Sequence, residues 1–395
     1  MAAKIRARHL SATMSADLHD RAVALLRALC GPHGIHASLA ETANYRAVFT
    51  RDAVIAGVAG LLLGDDVIVG GLARTLERLR ALQGREGQLA SNFEPRDGGP
   101  PHASFGSLVP RVDAVTWYLV GVALAARAGA VSAAAFADSA RAAVRLLDAL
   151  EYNGRHLVYV PAGGNWADEY VYEGYILYDQ VLRAWALRLL AGVYGEGAWA
   201  DKAGRIGAAI DARYWPARVE GAPPGGHPVA AFSPVRTCEA FDLAACALLG
   251  ASGAAPDTAA PALDWVEARF LARGALPPAF HPVIDEAHPD WPALLRYHLF
   301  GFRNRPHEYH NGGVWPVWLG WLALALAAAG RVAALARLRA AADARIAALP
   351  AFDFEEYLHG VTGEPGGTPR MAYTATGVVL LGLAGTPAHR EVLGG

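Results

Sequence analysis

The chain is poor in cysteine. Cys30, Cys238 and Cys246 form an odd set with no Cys-x-x-Cys spacing, which excludes a disulfide framework and predicts reduced, buried thiols in a cytoplasmic protein. Charge is scarce as well. Asp, Glu, Lys and Arg make up 18% of the residues and leave a formal net charge of −2 with both signs scattered, an argument against nucleic acid or an anionic membrane as partner. No apolar run free of Gly and polar breaks is long enough to span a membrane. The opening MAAKIRARHLSATMSADLHD has basic residues but no apolar stretch of the secretory kind. Walker loop, dinucleotide fingerprint and GxSxG elbow are all missing. His307 and His310 stand three apart, yet no HExxH or His/Cys set accompanies them, so neither a metal nor another cofactor is expected.

What is present is apolar: 53% of the 395 residues are hydrophobic, enough for a sizeable core. Alanine and leucine recur at helical spacing in most windows. The pattern predicts twelve helices, near 16–31, 51–63, 66–83, 113–128, 131–150, 174–192, 197–213, 238–250, 259–272, 312–328, 330–347 and 371–384. Strand signals are short, such as HLVYV at 156–160. Brief links near 64–65, 129–130, 193–196, 251–258 and 329 alternate with long ones at 32–50, 84–112, 151–173, 214–237, 273–311 and 348–370. Long loops in a compact domain are usually functional. Six of them at regular intervals predict an all-α, six-hairpin (α/α)6 barrel, one domain over 1–395 with 1–15 and 386–395 as flexible ends. A solenoid would show a steady repeat and short loops at both ends, and no repeat is visible.

The chemistry sits in the long loops. NYRAVFTRDAVIAG places Arg51 and Asp52 at a helix start, where an acidic residue also serves the helix dipole. LVPRVDAVTWYL puts Asp113 four residues before Trp117. GGNWADEYVYEGYILYDQ carries Trp166, Asp168, Glu169, Glu173 and Asp179 among aromatics. FRNRPHEYHNGGVWPVWLGW brings Tyr309, His310, Asn311 and Trp315 to the mouth of an apolar helix, and FDFEEYLHGVTGEPGGTPRMAYTATG carries Glu355, Glu356, His359 and Arg370. Aromatic faces beside carboxylates and amides suit a sugar ring: the rings cover its C–H surfaces and the polar groups bond its hydroxyls. Glycoside hydrolysis asks for two carboxyls, an acid for the leaving oxygen and a partner that activates water or attacks carbon. An acid in an apolar aromatic pocket would have its pKa raised, as that role requires.

Several of these segments, in order, resemble the alkaline/neutral invertase family of glycoside hydrolases. NYRAVFTRDAVIAG matches its Arg-Asp segment, LVPRVDAVTWYL its Val-Asp-Ser-Gly-Leu-Trp-Trp segment with Ala-Val-Thr after the Asp, and YHNGGVWP its Tyr-His-Asn-Gly-Gly-x-Trp-Pro. FEEYLHG followed by Arg370 is similar to its Glu-Tyr segment. The likeness runs from about residue 44 to 384. It implies an (α/α)6 barrel and inverting hydrolysis of a sucrose-like α-glucoside, with Asp168 as general acid and Glu356 as general base. Arg51, Asp52, Asp113, Trp117, Trp166, Tyr309, His310, Asn311, Trp315 and Arg370 would hold the substrate. Trp315 is expected against the glucosyl ring, His310 and Asn311 on its hydroxyls, and the loop glycines where the backbone approaches it. Glu169 and Tyr170 stand where that family has basic residues. NWADE and SNFEP…VDAVTW resemble equally the glucosidase domain of glycogen-debranching (amylo-α-1,6-glucosidase) enzymes, so the aglycone stays open. Readings from another class are a sugar epimerase, which would need two facing histidines, and a glycan-binding protein lacking one carboxyl. The partner expected is a small sugar, with a homo-oligomer as an open alternative.

Overall fold

The computed structural model describes residues 16–40, 45–96, 99–106, 109–151, 153–215, 226–296, 298 and 301–393. Its helices are α1 (Ala16–Ala28), α2 (Thr50–Leu63), α3 (Asp66–Ala81), α4 (Val112–Arg127), α5 (Ala133–Ala149), α6 (Leu177–Tyr194), α7 (Gly197–Arg213), α8 (Leu243–Ser252), α9 (Pro256–Arg269), the single turn α10 (Trp291–Leu294), α11 (Pro316–Ala328), α12 (Val332–Ala347), α13 (Ala372–Leu383) and α14 (Pro387–Leu393).

Two kinds of helix alternate. Helices α2, α4, α6, α8, α11 and α13 are buried along nearly their whole length, while α3, α5, α7 and α12 bury one stripe and expose the rest. A helix apolar all round must sit inside. The inner six pack in sequence, α2 on α4, α4 on α6, α6 on α8, α8 on α11, α11 on α13, and α13 back on α2, which closes the ring. Helices α3, α5, α7, α9 and α12 each pack outside the inner helix that precedes them, and α1 lies on α13. The first helix among the described residues therefore completes the sixth hairpin with the last inner one. This is a six-hairpin (α/α) barrel. At the α11–α13 contact, a methyl on Gly377 would lie 2.1 Å from the Pro316 carbonyl oxygen, so Gly377 lets the middle of α13 approach the start of α11.

The long loops all enter inner helices at their N-termini, and short antiparallel ribbons tie neighbouring loops into a collar. Val48 pairs with Phe93, Ile176 with Ala231, and Asp242 with Phe280. Val314 bridges Leu358, Ser38 bridges Met371, and the Val112 amide donates to the Gly164 carbonyl at 2.7 Å. Each link needs only one or two residues, which is why the strands are so short. HLVYV is not a ribbon of its own: within it only Val160 forms a bridge, to Gly174.

Three helix starts fall later than the apolar pattern suggests. α8 begins at 243 because Asp242 caps it, accepting from the Ala245 amide at 3.1 Å, with residues 237–238 used in a strand. α6 begins at 177, after the strand Tyr175–Ile176. α11 begins at Pro316, whose missing N–H costs nothing at the first position. The C-terminal segment needs a correction. Residues 387–393 form α14 with His389 and Leu393 buried, and it packs near α2. Residues 1–15 and 394–395 of the expected flexible ends lie outside the described residues. Cys238 and Cys246 are buried thiols, whereas Cys30 is half-exposed.

Candidate active site

Inside the collar, above the inner helix N-termini, lies a pocket of about 400 Å³. Its floor is built from first-turn residues. Arg51 and Asp52 come from α2 and Asp113 from α4, and Trp315 and Met371 flank the starts of α11 and α13. Carboxylates at these positions answer the positive helix ends. Arg51 Nη1 donates to Asp113 Oδ2 at 2.8 Å. Its Nε stands 3.6 Å from Asp52 Oδ2, too long for a hydrogen bond, and neither atom has another hydrogen-bond partner. Burial pushes the Asp52 carboxyl up, against the pull of Arg51. Trp166 Nε1, also on the wall, is unpartnered too. Buried polar atoms normally find partners; these three, on residues that line the pocket, have none.

The loops supply the upper wall. Glu356 is buried, and its Oε1 accepts from the Tyr45 hydroxyl at 3.1 Å and its Oε2 from the Thr368 amide at 3.5 Å. Burial raises its pKa to about 7, against the opposing pull of Arg303. Gly367, at φ 80°, makes room for it: a methyl there would come within 2.5 Å of Oε2. Asp168 comes from the loop between α5 and α6. Its Oδ2 accepts from Arg111 Nη2 at 2.8 Å. The apolar setting expected of an acid is replaced at Asp168 by an ion pair. Beside it, Glu169 takes Arg303 bidentately at 2.9 and 3.1 Å, and the Arg303 guanidinium lies 4.1 Å from the Tyr309 ring centre.

Of the residues expected to catalyse or to hold the substrate, Arg51, Asp52, Asp113, Trp166, Asp168, Tyr309, Trp315 and Glu356 line this one pocket. Four others do not. Trp117 sits a layer below, donating to the Tyr178 hydroxyl at 2.8 Å, which in turn faces Asp113 at 3.5 Å. Asn311 is spent on the backbone: it accepts from the Ile284 amide and donates to the carbonyls of Ile284 and Asn304. His310 lies behind the wall, stacked on Trp315 at 5.4 Å and edge-on to Trp166. Both its ring nitrogens lack partners, and burial, with three arginines nearby, drives its pKa well below the usual range. Arg370 is half-exposed and pairs loosely with Asp353 at 3.8 Å. Nor do the loop glycines meet the ligand space: a methyl on Gly313 would strike the Tyr309 carbonyl at 2.4 Å, so they serve the loop's own turn.

The expected catalytic and substrate-binding set left out Tyr45, Arg111, Glu169, Arg303 and Tyr373, which also line the pocket. All five lie within the quoted motifs or one step from a chosen residue. The periodicity of a loop does not say which neighbour points inward.

No family model and no curated protein matches the sequence. Solved structures do match in shape. The GH63 mannosylglycerate hydrolase from Thermus thermophilus, in complex with glucose, superposes with a TM-score of 0.65 at 16% identity over 92% of this chain and 99% of that one. A rhamnosidase from Klebsiella oxytoca with rhamnose bound gives 0.61 at 12% identity, over 93% and 64%. A glycosidase variant in complex with glucose gives 0.60 at 17% identity, over 96% of both chains. The barrel is shared. At these identities the likeness speaks for the fold.

Proposed function

We propose that this protein is an inverting glycoside hydrolase acting on a small α-glucoside, with Asp168 as general acid and Glu356 as general base. The observation that carries the reading is that two carboxyls from loops nearly two hundred residues apart meet in one pocket, lined further by Asp52, Asp113 and the rings of Trp166, Tyr309 and Trp315. The sugar complexes of its structural neighbours support a glycosyl unit as occupant. Both oxygens of Glu356 accept hydrogen bonds, an arrangement made for a carboxylate. Its raised pKa makes it a stronger base toward water while leaving it ionised above about pH 7. Inversion follows if a water fits between Glu356 and the anomeric carbon, with Asp168 across the sugar protonating the departing oxygen. The invertase-like and debranching-like readings differ only in the aglycone.

The Arg111–Asp168 ion pair favours a second reading, in which Glu356 carries the proton and Asp168 activates water. Leaving-group dependence decides between them. Removing the acid hurts natural glucosides far more than α-glucosyl fluoride, whose leaving group needs little protonation, whereas removing the base hurts both alike. The proposed assignment expects Asp168→Asn to spare the fluoride and Glu356→Gln to abolish both activities. The converse pattern would establish the reverse roles.

A further inference from the structure

Asp179 closes the same sequence motif that carries Asp168. It is fully buried in the first turn of α6 and does not line the pocket. Its Oδ2 accepts from Asn165 Nδ2 at 2.8 Å. Asn165 does line the pocket, and its other end closes a turn: Oδ1 accepts from the Ala167 amide at 3.2 Å and from the Tyr172 hydroxyl at 3.1 Å. That turn delivers Trp166 and Asp168 to the pocket. The Trp166 ring is wedged among Phe280, Trp315 and Trp318, with ring centres 5.7, 5.6 and 5.1 Å away. Just past Asp168 the chain is tied again, where the Glu169 carbonyl accepts from Asn304 Nδ2 at 2.7 Å. Asn304 itself sits on a loop. Of these two ties, Asp179 is the one that stands on an inner helix, and α6 is packed against α4, α7 and α8. A reactive group on a loop is aimed only as well as the rigid element that holds the loop.

Resting on the hydrolase reading with Asp168 as acid, we propose that Asp179 is a positioning residue for that acid: through Asn165 it locks the turn from Asn165 to Asp168 onto α6, and so aims the Asp168 carboxyl at the glycosidic oxygen. The bond to Asp179 fixes which end of the Asn165 amide faces the turn, since a flipped amide would set its N–H donors against the Ala167 amide. Arg111 steadies only the tip of Asp168; the backbone beneath it is set by Asn165. Burial pushes the Asp179 carboxyl well above the usual range, so the group is uncharged and its removal breaks no ion pair. What its removal does break is the hold on Asn165. Proton transfer needs the acid within hydrogen-bond reach of the departing oxygen, and a displacement of about 1 Å costs about a hundredfold in rate.

The test uses Asp179→Leu, which removes the acceptor, and Asp179→Asn, the near-isostere of the uncharged carboxyl. Asp179→Leu should lower kcat on natural glucosides about a hundredfold with KM nearly level, and slow α-glucosyl fluoride less than about threefold, the pattern expected of Asp168→Asn. Asp179→Asn should recover most of the loss. In the Asp168→Asn background, Asp179→Leu should cost little more, because both act through one group. Should the leucine variant not fold, Asn165→Ala removes the same bond from the loop side and enters the same cycle. Hydrogen exchange read by mass spectrometry needs no turnover: Asp179→Leu should speed exchange in the 163–172 segment and leave α4 and α8 unchanged. A loss that departs from the Asp168→Asn pattern, full additivity with Asp168→Asn, or unchanged exchange in that segment would overturn the proposal. If Asp168→Asn slows the fluoride as much as natural glucosides, the acid assignment fails separately, and the cycle still decides whether Asp179 works through Asp168. If no glucoside is hydrolysed at all, the hydrolase reading fails, and the exchange comparison decides whether Asp179 holds the turn.

Discussion

Among the described residues, two clusters of buried ion pairs differ in whether they border a cavity. At the junction of α5, α6 and α7, Glu151 accepts from Arg183 at 2.6 Å, from Lys202 at 2.6 Å and from the His156 amide at 3.0 Å, and Arg183 also holds Asp148 at 2.7 Å. Both carboxylate oxygens of Glu151 are taken, Arg183 Nε is left without a partner, and none of these residues lines the pocket. In the pocket the same residue types pair incompletely. Asp52 Oδ2, Arg51 Nε and Trp166 Nε1 have no hydrogen-bond partner, and Glu356 is held near neutrality by burial. Burial, charge and unpartnered atoms do not separate a structural network from a site; carboxylates converging on a cavity do.

The contrast breaks most sharply at Glu356. Glu356→Gln should lower kcat about a thousandfold, within the span of general acid–base catalysis, while Tm at pH 8 stays level or rises. The sign follows from burial. The folded protein holds this proton to about pH 7, whereas the unfolded chain releases it near the ordinary glutamate value. Ionisation therefore costs stability progressively across that window, in full above it, and the glutamine removes the cost at pH 8 but not at pH 4. The wild-type kcat/KM should climb as pH rises through about 7, as the base ionises. Thermal melts and a pH–rate profile read both.

Glu151→Gln should do the reverse. Breaking a buried pair costs about 3 kcal/mol, read by urea denaturation, with kcat/KM changed less than about twofold. Although burial works against it, hydrogen bonds from Lys202 and Arg183 hold the Glu151 pKa below its ordinary value. Its contribution is therefore present above the unfolded-state pKa, and the gap between wild type and variant should close as pH falls below it.

Asp52→Asn keeps the shape and removes an acceptor charge facing the ligand. About a hundredfold loss of kcat/KM is expected, the value of a hydrogen bond to a charged group, with little change in Tm. Equal loss of stability and activity would move Asp52 into the structural class. The smallest effect is expected at His310. Its ring is neutral, stacked and without hydrogen bonds, so His310→Phe should shift stability by less than about 1.5 kcal/mol, as volume-conserving swaps do, and kcat/KM by only a few-fold.

The sequence made the barrel legible because the inner helices are apolar all round and the outer ones striped, a difference visible at 316–328 against 332–347. The alternation of brief and long links then gave the ring its face. Helix starts were harder to place where a proline or cap competes with the apolar pattern, as at Pro316 and Asp242. In the site, first-turn residues such as Asp52 and Asp113 were readable because the ring fixes where a helix start points. Loop residues were not. His310 and Asn311 look more ligand-like than Arg303 or Tyr45 in the chain, but Asn311 bonds the neighbouring backbone and His310 turns behind Trp315. Only the collar's hydrogen bonds decide that.

The central claim is that a single displacement occurs in this pocket with water delivered by Glu356. Proton NMR of the wild-type protein hydrolysing α-glucosyl fluoride tests it most directly, since that substrate depends on neither the acid nor the aglycone. The account predicts β-glucose as the first product, with the α-anomer growing in only by mutarotation. α-Glucose appearing first would mean a double displacement with retention, and would contradict it.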